Sequence, residues 1–509
     1  MSIVKVTGGM VEGVHEDGYI SFKGIPYAAP PVGDRRWKLP EPPVPWEGVK
    51  LCNKLGPACC QADNQVVPGG DPDDRGVVAG TSEDCLYLNV WTPDISAKKL
   101  PVFVWIHGGA FCCGSGGGIS ATPDTFVSRG IVYVSFNYRV GILGFFAHPE
   151  LSAENEAHVS GNYAHYDQLA AVRWVKENIA AFGGDPENIT IGGSSAGAGS
   201  SQCLATSPLA KGLFQKAIVM SSWGTMYSSY PEDFILRDRE DMEERGKEFM
   251  ELNGCKNIAE LRQRTYEQLA ATPDASFRKK YHYGTVMGTS RDGYLNPKLP
   301  RIAAQEFRVN DISLMIGCAN DEGDGHMLRL GMDVFKKNSE PVFGDKMEEY
   351  LKLWETLPSQ DIADIANATH LKFSGEKAYA AVSSELGRKP VYVYDFCRKG
   401  LKKGKKQAYH GLSSKYFFNR QKSLPGYEAD DENVAFFIQE YCCNFIKNGN
   451  PNGEELPRWD PYTSKARNVM YMDAESRQER DENVENPVMT FTREMIEEKM
   501  RAGLQNQTT

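Results

Sequence analysis

Sequence features that would mark a membrane-spanning or exported protein are missing from this chain of 509 residues. No apolar run is long enough to cross a bilayer, so no integral membrane segment is predicted. The N-terminal stretch MSIVKVTGGMVEGV has no basic segment followed by an apolar core, so no signal peptide is visible. We therefore expect a cytoplasmic protein if the sequence is complete, and a secreted protein if a leader has been removed.

An excess of positive charge and the spacing of a zinc site are also lacking. The formal net charge of −10 argues against a nucleic-acid partner. The chain has 12 cysteines but no paired C-x-x-C motifs, and several cysteines are adjacent, which is unusual in a disulfide framework. The adjacent pairs are Cys59–Cys60, Cys112–Cys113 and Cys442–Cys443. We expect mostly reduced thiols, no metal ion and no cofactor.

Segments of strand character alternate with segments of helical periodicity, and no repeat or low-complexity linker interrupts them. This alternation predicts the α/β class, as a single domain over residues 1–509. Predicted strands cover residues 101–106 (PVFVWI), 131–138, 189–191, 217–222, 313–317 and 390–396, and predicted helices cover 165–182 and 432–449. The first helix is predicted to end at Gly183 and to carry one apolar face, formed by Leu169, Val172, Val175 and Ile179.

The stretch TIGGSSAGAGS, residues 190–200, contains the pattern G-x-S-x-G around Ser195. The five-residue pattern alone also fits an ordinary glycine-rich turn. Here a predicted strand precedes it, and a run of small residues that can form a closely packed helix follows it. This context favours a nucleophile elbow, with the helix N-terminus facing an oxygen that becomes negative.

A second glycine-rich loop, IHGGAFCCGSGGG at residues 106–118, follows the predicted strand 101–106. In hydrolases with such an elbow, one oxyanion donor is the backbone N–H after the nucleophile, here Ala196. The others come from an HGG-type loop, so Gly109 and Ala110 are the candidate donors. His107 has no second ligand at helical spacing, so we do not expect it to bind a metal ion.

A serine nucleophile needs a base, which follows the acid in the chain order of this kind of site. The loop CANDEGDG, residues 318–325, follows a predicted strand and offers Asp321, Glu322 and Asp324, any of which could orient an imidazole. The same loop could also be plain solvated surface.

Three histidines follow the start of that acidic loop. His326 is too close to it to be a separate arm of the site, and His370 lies in a helical-looking stretch where a surface or packing role is expected. His410 lies in QAYHGLSSKYFF, past the strand 390–396, with Gly411 beside it. We therefore predict His410 as the base.

Several blocks along nearly the whole chain resemble the type-B carboxylesterase/lipase family, which includes cholinesterases and bacterial para-nitrobenzyl esterases. The blocks include FKGIPYAAPPVGDRRW at residues 22–37, SEDCLYLNVWTP at 82–93, and the stretch 161–198. The resemblance implies an α/β-hydrolase fold, with a central, mostly parallel sheet flanked by helices. It also implies large variable insertions around the active-site gorge, over residues 222–300 and 327–390.

The same family pattern implies a role for each candidate site residue. It gives Ser195 as the nucleophile, Glu322 in NDEG as the acid and His410 in YHG as the base. The acid of this family is usually Glu, which selects Glu322 from its neighbours. The pattern assigns the oxyanion hole to Gly109, Ala110 and Ala196.

Departures from the family pattern also carry expectations. Ser194 stands where the family usually has Glu, which removes a buried carboxylate. Cys59 and Cys85 stand at the positions that some secreted members join, so a disulfide between them is expected as one alternative. Residues 66–82 lack the tryptophan with which cholinesterases hold a quaternary ammonium, so a choline ester is not expected as the substrate.

The sequence therefore predicts a serine hydrolase that cleaves a small-molecule carboxylic ester through an acyl-enzyme. One alternative is a lipase on aggregated lipid, and another is a non-catalytic, cholinesterase-like binding protein. The basic run at residues 398–406 is expected as a solvated loop rather than a membrane contact. Trp223 is expected either near the pocket or in the core. The sequence predicts neither the particular ester nor the oligomeric state.

Overall fold

The computed structural model describes residues 2–61, 79–222, 237–272, 288–298, 300–322, 331–361, 364–365, 371–402, 405–481 and 485–508. Trp223, Asp324, His326 and His370, together with parts of both expected insertions, lie outside these ranges. The chain forms two compact units. Unit 1 comprises Met1–Gln215 and Phe234–Leu299, and unit 2 comprises Lys216–Asp233 and Pro300–Thr509.

Short strands and helices alternate through both units. The strands are β1 (Ser2–Val6), β2 (Gly9–His15), β3 (Ile20–Pro26), β4 (Val49–Leu51), β5 (Ala58–Cys59), β6 (Thr81–Ser82), β7 (Tyr87–Thr92), β8 (Leu100–Ile106), β9 (Val132–Phe136), β10 (Gly184–Ser194), β11 (Lys216–Met220), β12 (Arg237–Asp238), β13 (Ser290–Arg291), β14 (Ser313–Ala319), β15 (Val391–Phe396), β16 (Gly400–Lys402), β17 (Lys405–Gln407), β18 (Asn468–Met472) and β19 (Arg477–Arg480).

The helices vary more in length than the strands. They are α1 (Asp124–Val127), α2 (Gly141–Phe145), α3 (Pro149–Ala153), α4 (Tyr163–Asn178), α5 (Ala196–Thr206), α6 (Arg239–Leu252), α7 (Ile258–Arg262), α8 (Tyr266–Ala271), α9 (Pro300–Gln305), α10 (Met332–Phe343), α11 (Met347–Leu353), α12 (Leu371–Glu385), α13 (Leu412–Phe417), α14 (Asp430–Asn448) and α15 (Pro487–Thr508). Among the residues that the structure describes, no helix has the length and apolar character needed to cross a membrane.

The sheet of unit 1 runs in the order β1-β2-β3-β7-β9-β8-β10. Strands β9, β8 and β10 pair in parallel, with Val104 opposite Val134 on one side and Ile191 on the other. Along this order β1, β2, β3 and β7 pair antiparallel, as does β7 with β9. Strand β9 and most of β8 are buried on both faces, which explains why β8 reads as an unbroken apolar run and β9 as an apolar run interrupted only by the buried Ser135.

Helix α4 connects the parallel strands β9 and β10 and lies within the core of unit 1. It continues as a short turn of tighter helix to Phe182 and ends at Gly183, whose φ of 84° is left-handed, as predicted. Burial extends around nearly the whole helix rather than along one apolar face. The polar residue Asp167 is among those buried, and it forms a two-point ion pair with Arg139, with N–O distances of 2.8 Å.

The sheet of unit 2 has β11, β14, β15 and β18 in parallel, with β19 antiparallel at its edge. The strands predicted at residues 217–222, 313–317 and 390–396 are thereby confirmed. Helix α14 confirms the helix predicted at residues 432–449, and Gly449, with φ of 72°, caps its C-terminal end after Asn448. Helix α12 packs against β15 and α15.

Candidate active site

Ser195 lies at the turn that joins β10 to α5. Its backbone has φ 59° and ψ −124°, a combination that a residue with a side chain rarely adopts. Such a turn lifts the side chain out of both neighbouring elements and is the geometry of a nucleophile elbow. The sequence predicted this strand–turn–helix context, and the structure has it.

Glycines on both sides of Ser195 allow β8, β10 and α5 to approach closely. A methyl group on Gly197 would lie 2.0 Å from the carbonyl oxygen of Ile106 at the end of β8. A methyl group on Gly193 would lie 2.4 Å from the carbonyl carbon of Gly197 and 2.6 Å from the oxygen of Ile106. Backbone atoms occupy these positions, so no larger side chain fits without moving an element.

The loop after β8 lies directly against the elbow. A methyl group on Gly108 would be 3.3 Å from Cβ of Ser195 and 2.7 Å from the carbonyl oxygen of Ser194. Gly109 and Ala110 both have positive φ, 114° and 51°. The two predicted donors of this loop therefore lie in a tight turn that begins beside Ser195, while Ala196 is the first residue of α5.

Hydrogen bonds from distant parts of unit 1 hold this loop in place. The hydroxyl of Tyr138 donates to the carbonyl oxygen of His107 at 2.7 Å. The side-chain amide of Gln61 donates to the oxygen of Gly114 at 3.0 Å and accepts from its N–H at 2.9 Å. Sequence reasoning missed both supports, because Gln61 and Tyr138 are far along the chain from the loop and carry no local signal.

His107 has a structural place in this loop. Its ring stacks on Tyr138 with the centroids 4.1 Å apart, and its Nδ1 lies 2.8 Å from the carbonyl oxygen of Gly108. Burial lowers the pKa of His107 to about 4, so the ring is neutral near pH 7. Among the described residues, no cluster of three or more His, Cys, Asp or Glu side chains could hold a metal ion.

Glu322 and His410 meet within unit 2. Oε2 of Glu322 lies 2.5 Å from Nδ1 of His410, and Oε1 accepts from the N–H of Ala319 at 2.9 Å. The carboxylate side chain is completely buried, whereas the imidazole is 27% exposed. An ionised carboxylate can only accept, so Nδ1 carries the proton of this bond and Nε2 is left with a lone pair.

A backbone hydrogen bond joins the loops that carry these two residues, and a side-chain hydrogen bond ties the loop of Glu322 to β15. The N–H of Asp321 donates to the oxygen of Ala408 at 3.0 Å, two residues before His410. The side-chain amide of Asn320 donates to Asp395 at the end of β15 at 2.8 Å. Of the three acidic residues that chemistry alone left open, the structure brings Glu322 to the imidazole. Asp324 lies outside the described residues.

The disulfide expected as one alternative between Cys59 and Cys85 is absent, and this expectation needs correction. The two side chains are neighbours, as the resemblance implied, but both cysteines are free and buried. Burial, together with a hydrogen bond between the two thiols, raises the pKa of Cys85 well above its ordinary value. Cys59 Sγ also accepts from the N–H of Val140 at 3.4 Å, so this buried sulfur has a polar partner without a disulfide bond.

The basic run at residues 398–406 is partly paired with acidic side chains of unit 2. Arg398 contacts Asp431 at 2.6 Å and Glu428 at 3.0 Å, and Lys406 contacts Glu428 at 2.7 Å. The run forms the hairpin β16–β17. Residues 403–404 lie outside the described part.

The comparisons with known proteins cover most of the chain. A family model described as "Carboxylesterase family" matches residues 1–360 and 347–491. The chain is 33% identical to the para-nitrobenzyl esterase of Bacillus subtilis (strain 168), over 96% of this chain and 98% of that protein. It is 34% identical to the fumonisin B1 esterase of Sphingopyxis macrogoltabida, over 81% of this chain and 73% of that protein.

Solved structures of similar proteins extend the likeness to the fold. A solved structure of a PNB esterase superposes with a TM-score of 0.82 at 30% identity, covering 97% of this chain and 99% of that one. A carboxylesterase of Geobacillus stearothermophilus superposes with a TM-score of 0.79 at 30% identity, covering 99% of this chain and 100% of that one. The predicted α/β fold class is thereby confirmed.

Proposed function

Since this chain belongs to the carboxylesterase family, we propose that it hydrolyses carboxylic esters through Ser195, Glu322 and His410 by way of an acyl-enzyme. It has the α/β-hydrolase fold of the family and is a carboxylic ester hydrolase. The observation that carries the proposal is the hydrogen bond between the buried carboxylate of Glu322 and Nδ1 of His410. This bond leaves Nε2 as the basic atom of the imidazole.

The first chemical step forms a bond between Ser195 Oγ and the carbonyl carbon of the ester. His410 Nε2 takes the hydroxyl proton, because a neutral serine hydroxyl is a weak nucleophile. The imidazolium returns the proton to the leaving alcohol oxygen as the ester C–O bond breaks. Water then attacks the acyl-enzyme with His410 again as the base, and the carboxylic acid and free Ser195 are released.

Charge stabilisation in this mechanism comes from two sources. The carboxylate of Glu322 stabilises the imidazolium and holds the ring in one tautomer. The backbone N–H groups of Gly109, Ala110 and Ala196 receive the oxyanion of the tetrahedral intermediate. The closeness of Gly108 to Cβ of Ser195 supports this assignment, because it puts the start of the donor loop beside the nucleophile.

The substrate class that we propose is a small-molecule carboxylic ester. The similar proteins named above are a para-nitrobenzyl esterase and a fumonisin B1 esterase, and another relative, 31% identical, is named phenmedipham hydrolase. Initial rates on p-nitrophenyl esters of increasing acyl length would define the acyl preference. Hydrolysis that is confined to emulsified long-chain esters would instead favour the lipase.

Covalent titration with an organophosphate tests the nucleophile. We expect one phosphoryl group per chain on the peptide that contains Ser195, with complete loss of esterase activity. The variant Ser195→Ala should take up no label, whereas Ser194→Ala, which changes the adjacent, buried serine, should still be labelled. Labelling of Ser195→Ala at the wild-type rate, or its turnover at the wild-type rate, would refute the assignment.

A further inference from the structure

Three pairs of consecutive cysteines occur in the chain, and local backbone geometry separates the thiols in two of them. Cys59 ends the strand β5 and Cys60 follows it, and successive side chains of an extended segment point to opposite sides. Cys442 and Cys443 lie within helix α14, where consecutive side chains do not face one another. Only the pair Cys112–Cys113 lies in an irregular loop, the one that follows β8.

The thiols of Cys112 and Cys113 converge on a single backbone atom. Each Sγ lies 3.4 Å from the carbonyl oxygen of Gly109, and the backbone N–H groups of both cysteines donate to the same oxygen at 3.0 Å and 3.1 Å. The two thiols are also hydrogen-bonded to each other. Cys113 is 3% exposed, and Cys112 is half-buried, so a reagent can reach the pair through Cys112.

This arrangement disfavours the two commonest reactions of cysteine. The thiol–thiol hydrogen bond and burial raise the pKa of Cys112 far above its ordinary value, so little thiolate is available for alkylation. Consecutive Cα atoms are about 3.8 Å apart, shorter than the roughly 4.4–6.8 Å usual across a disulfide, so a disulfide here would be strained. A soft atom that bridges both sulfurs needs no direct S–S bond and therefore avoids this strain.

We propose that Cys112 and Cys113 form a dithiol site for trivalent arsenicals and that occupation of this site inactivates the esterase. With phenylarsine oxide as ligand, two As–S bonds form and the As–O bond breaks. The oxygen leaves as water and carries away both thiol protons. Arsenic remains trivalent, so the step needs neither an oxidant nor a reductant.

Inactivation follows from the position of Gly109, and this part rests on the proposed function. Both sulfurs lose their protons when they bind arsenic and can no longer donate to the carbonyl oxygen of Gly109, so the turn loses two of its side-chain hydrogen bonds. The N–H of Gly109 is one of the proposed oxyanion donors. Loss of one such donor lowers kcat by about 10²–10³-fold.

The test treats the purified full-length protein with phenylarsine oxide, removes the excess and measures the intact mass, the modified peptide and the esterase rate. We expect one phenylarsine group per chain on the peptide that contains Cys112 and Cys113. The rate should fall about 100-fold or more and should be restored by 2,3-dimercaptopropanol. Cys112→Ser and Cys113→Ser should each retain esterase activity and resist the reagent.

Two matched variants separate this pair from the other thiols. Cys442→Ala alters another consecutive pair, and Cys85→Ala alters the other hydrogen-bonded pair of thiols. Both variants should be modified and inactivated like the wild type. An adduct on Cys59 and Cys85, no adduct at all, or an adduct on Cys112 and Cys113 with full activity would overturn the proposal. The mass readout is independent of turnover, whereas an active Ser195→Ala variant would refute the proposed function instead.

Discussion

Glu322 and Asp321 are neighbours that both carry a carboxylate, but their hydrogen bonds differ. The carboxylate of Glu322 is buried and bonded to both the N–H of Ala319 and His410. Residue 321 links the two loops through its backbone N–H, which bonds to Ala408. A substitution of the side chain at position 321 leaves that backbone bond in place, whereas one at position 322 changes the partner of the imidazole.

The variant Glu322→Gln should keep the fold and lose most of the activity. The amide has the shape of the carboxylate but no charge to stabilise the imidazolium, and the equivalent change of a triad acid lowers kcat by about 10⁴-fold. The matched variant Asp321→Asn should stay within a few-fold of the wild type. The measurement is kcat on p-nitrophenyl acetate, with circular dichroism to confirm folding. A crippled Asp321→Asn beside a near-normal Glu322→Gln would show that the acid is Asp321.

His165 is a buried imidazole whose titration links pH to stability. Its Nδ1 lies 2.8 Å from Oε1 of Gln168 and its Nε2 lies 2.7 Å from the hydroxyl of Thr289. Burial lowers the pKa of His165 to about 4. Between the usual value for unfolded chains, about 6.5, and this folded value, the unfolded chain binds a proton that the folded chain does not. The free energy of unfolding should therefore fall as the pH drops from about 6.5 towards 4.

Urea unfolding at several pH values measures this contribution. Removal of the titrating group in His165→Gln should flatten the pH dependence by roughly 2–3 kcal/mol over the window. The buried His107 titrates in the same window and remains in both proteins, so the difference between them isolates His165. Identical slopes for the wild type and the variant would contradict the assignment of the lowered pKa to this residue.

At the scale of elements, the site depends on how closely one helix and two strands can approach. Helix α5 leaves β10 and packs against the end of β8 through Gly197, whose missing side chain leaves room for the carbonyl oxygen of Ile106. Glycine and serine in α5 lower its intrinsic helix propensity, but the small residues permit this contact. Packing therefore decides the composition of α5, and the strained turn at Ser195 is held between two docked elements.

Gly197→Ala should destabilise the protein by about 1–3 kcal/mol, since its methyl group would meet backbone atoms that cannot rotate away. A matched change, Gly503→Ala in α15, adds a methyl group with its nearest neighbour 3.8 Å away. That change should stabilise by up to about 1 kcal/mol, because alanine favours a helix. Thermal melting compares the two, and an unchanged melting temperature for Gly197→Ala would disprove the steric argument.

At the scale of the whole molecule, sequence patterns predicted the elements better than the supports between them. The strand β8, the helix α14 and the elbow at Ser195 follow from local periodicity and spacing, which the structure keeps. The hydrogen bonds from Gln61 and Tyr138 to the loop after β8 could not be predicted, because each partner is distant in sequence. The sequence predicted one buried apolar face on α4, but the helix is buried nearly all round. Polar residues such as Asp167 are buried there because they have partners elsewhere in the chain.

The buried ion pair Arg139–Asp167 is one such hidden support, and its removal should affect the whole fold. Asp167→Asn leaves the guanidinium buried without its counter-charge, which should cost about 3–5 kcal/mol of unfolding free energy. Glu41→Gln, which breaks the exposed pair with Arg35, should cost less than about 1 kcal/mol. Chemical unfolding measures both. Equal losses of unfolding free energy in the two variants would mean that burial does not increase the cost of breaking the Arg139–Asp167 pair.

The backbone strain at Ser195 also bears on how refolding of this chain can be followed. A serine with φ of 59° is held there only while β8, β10 and α5 are docked, so a chain that has regained helices and strands without docking them lacks the turn on which the proposed role of Ser195 as nucleophile depends. The circular dichroism signal of such chains indicates refolded secondary structure, whereas brief exposure to an organophosphate should not label them. The ratio of the two signals after dilution from urea would therefore give the yield of native molecules among all compact ones. Labelling at Ser195 would thus report how many chains have refolded to the native structure.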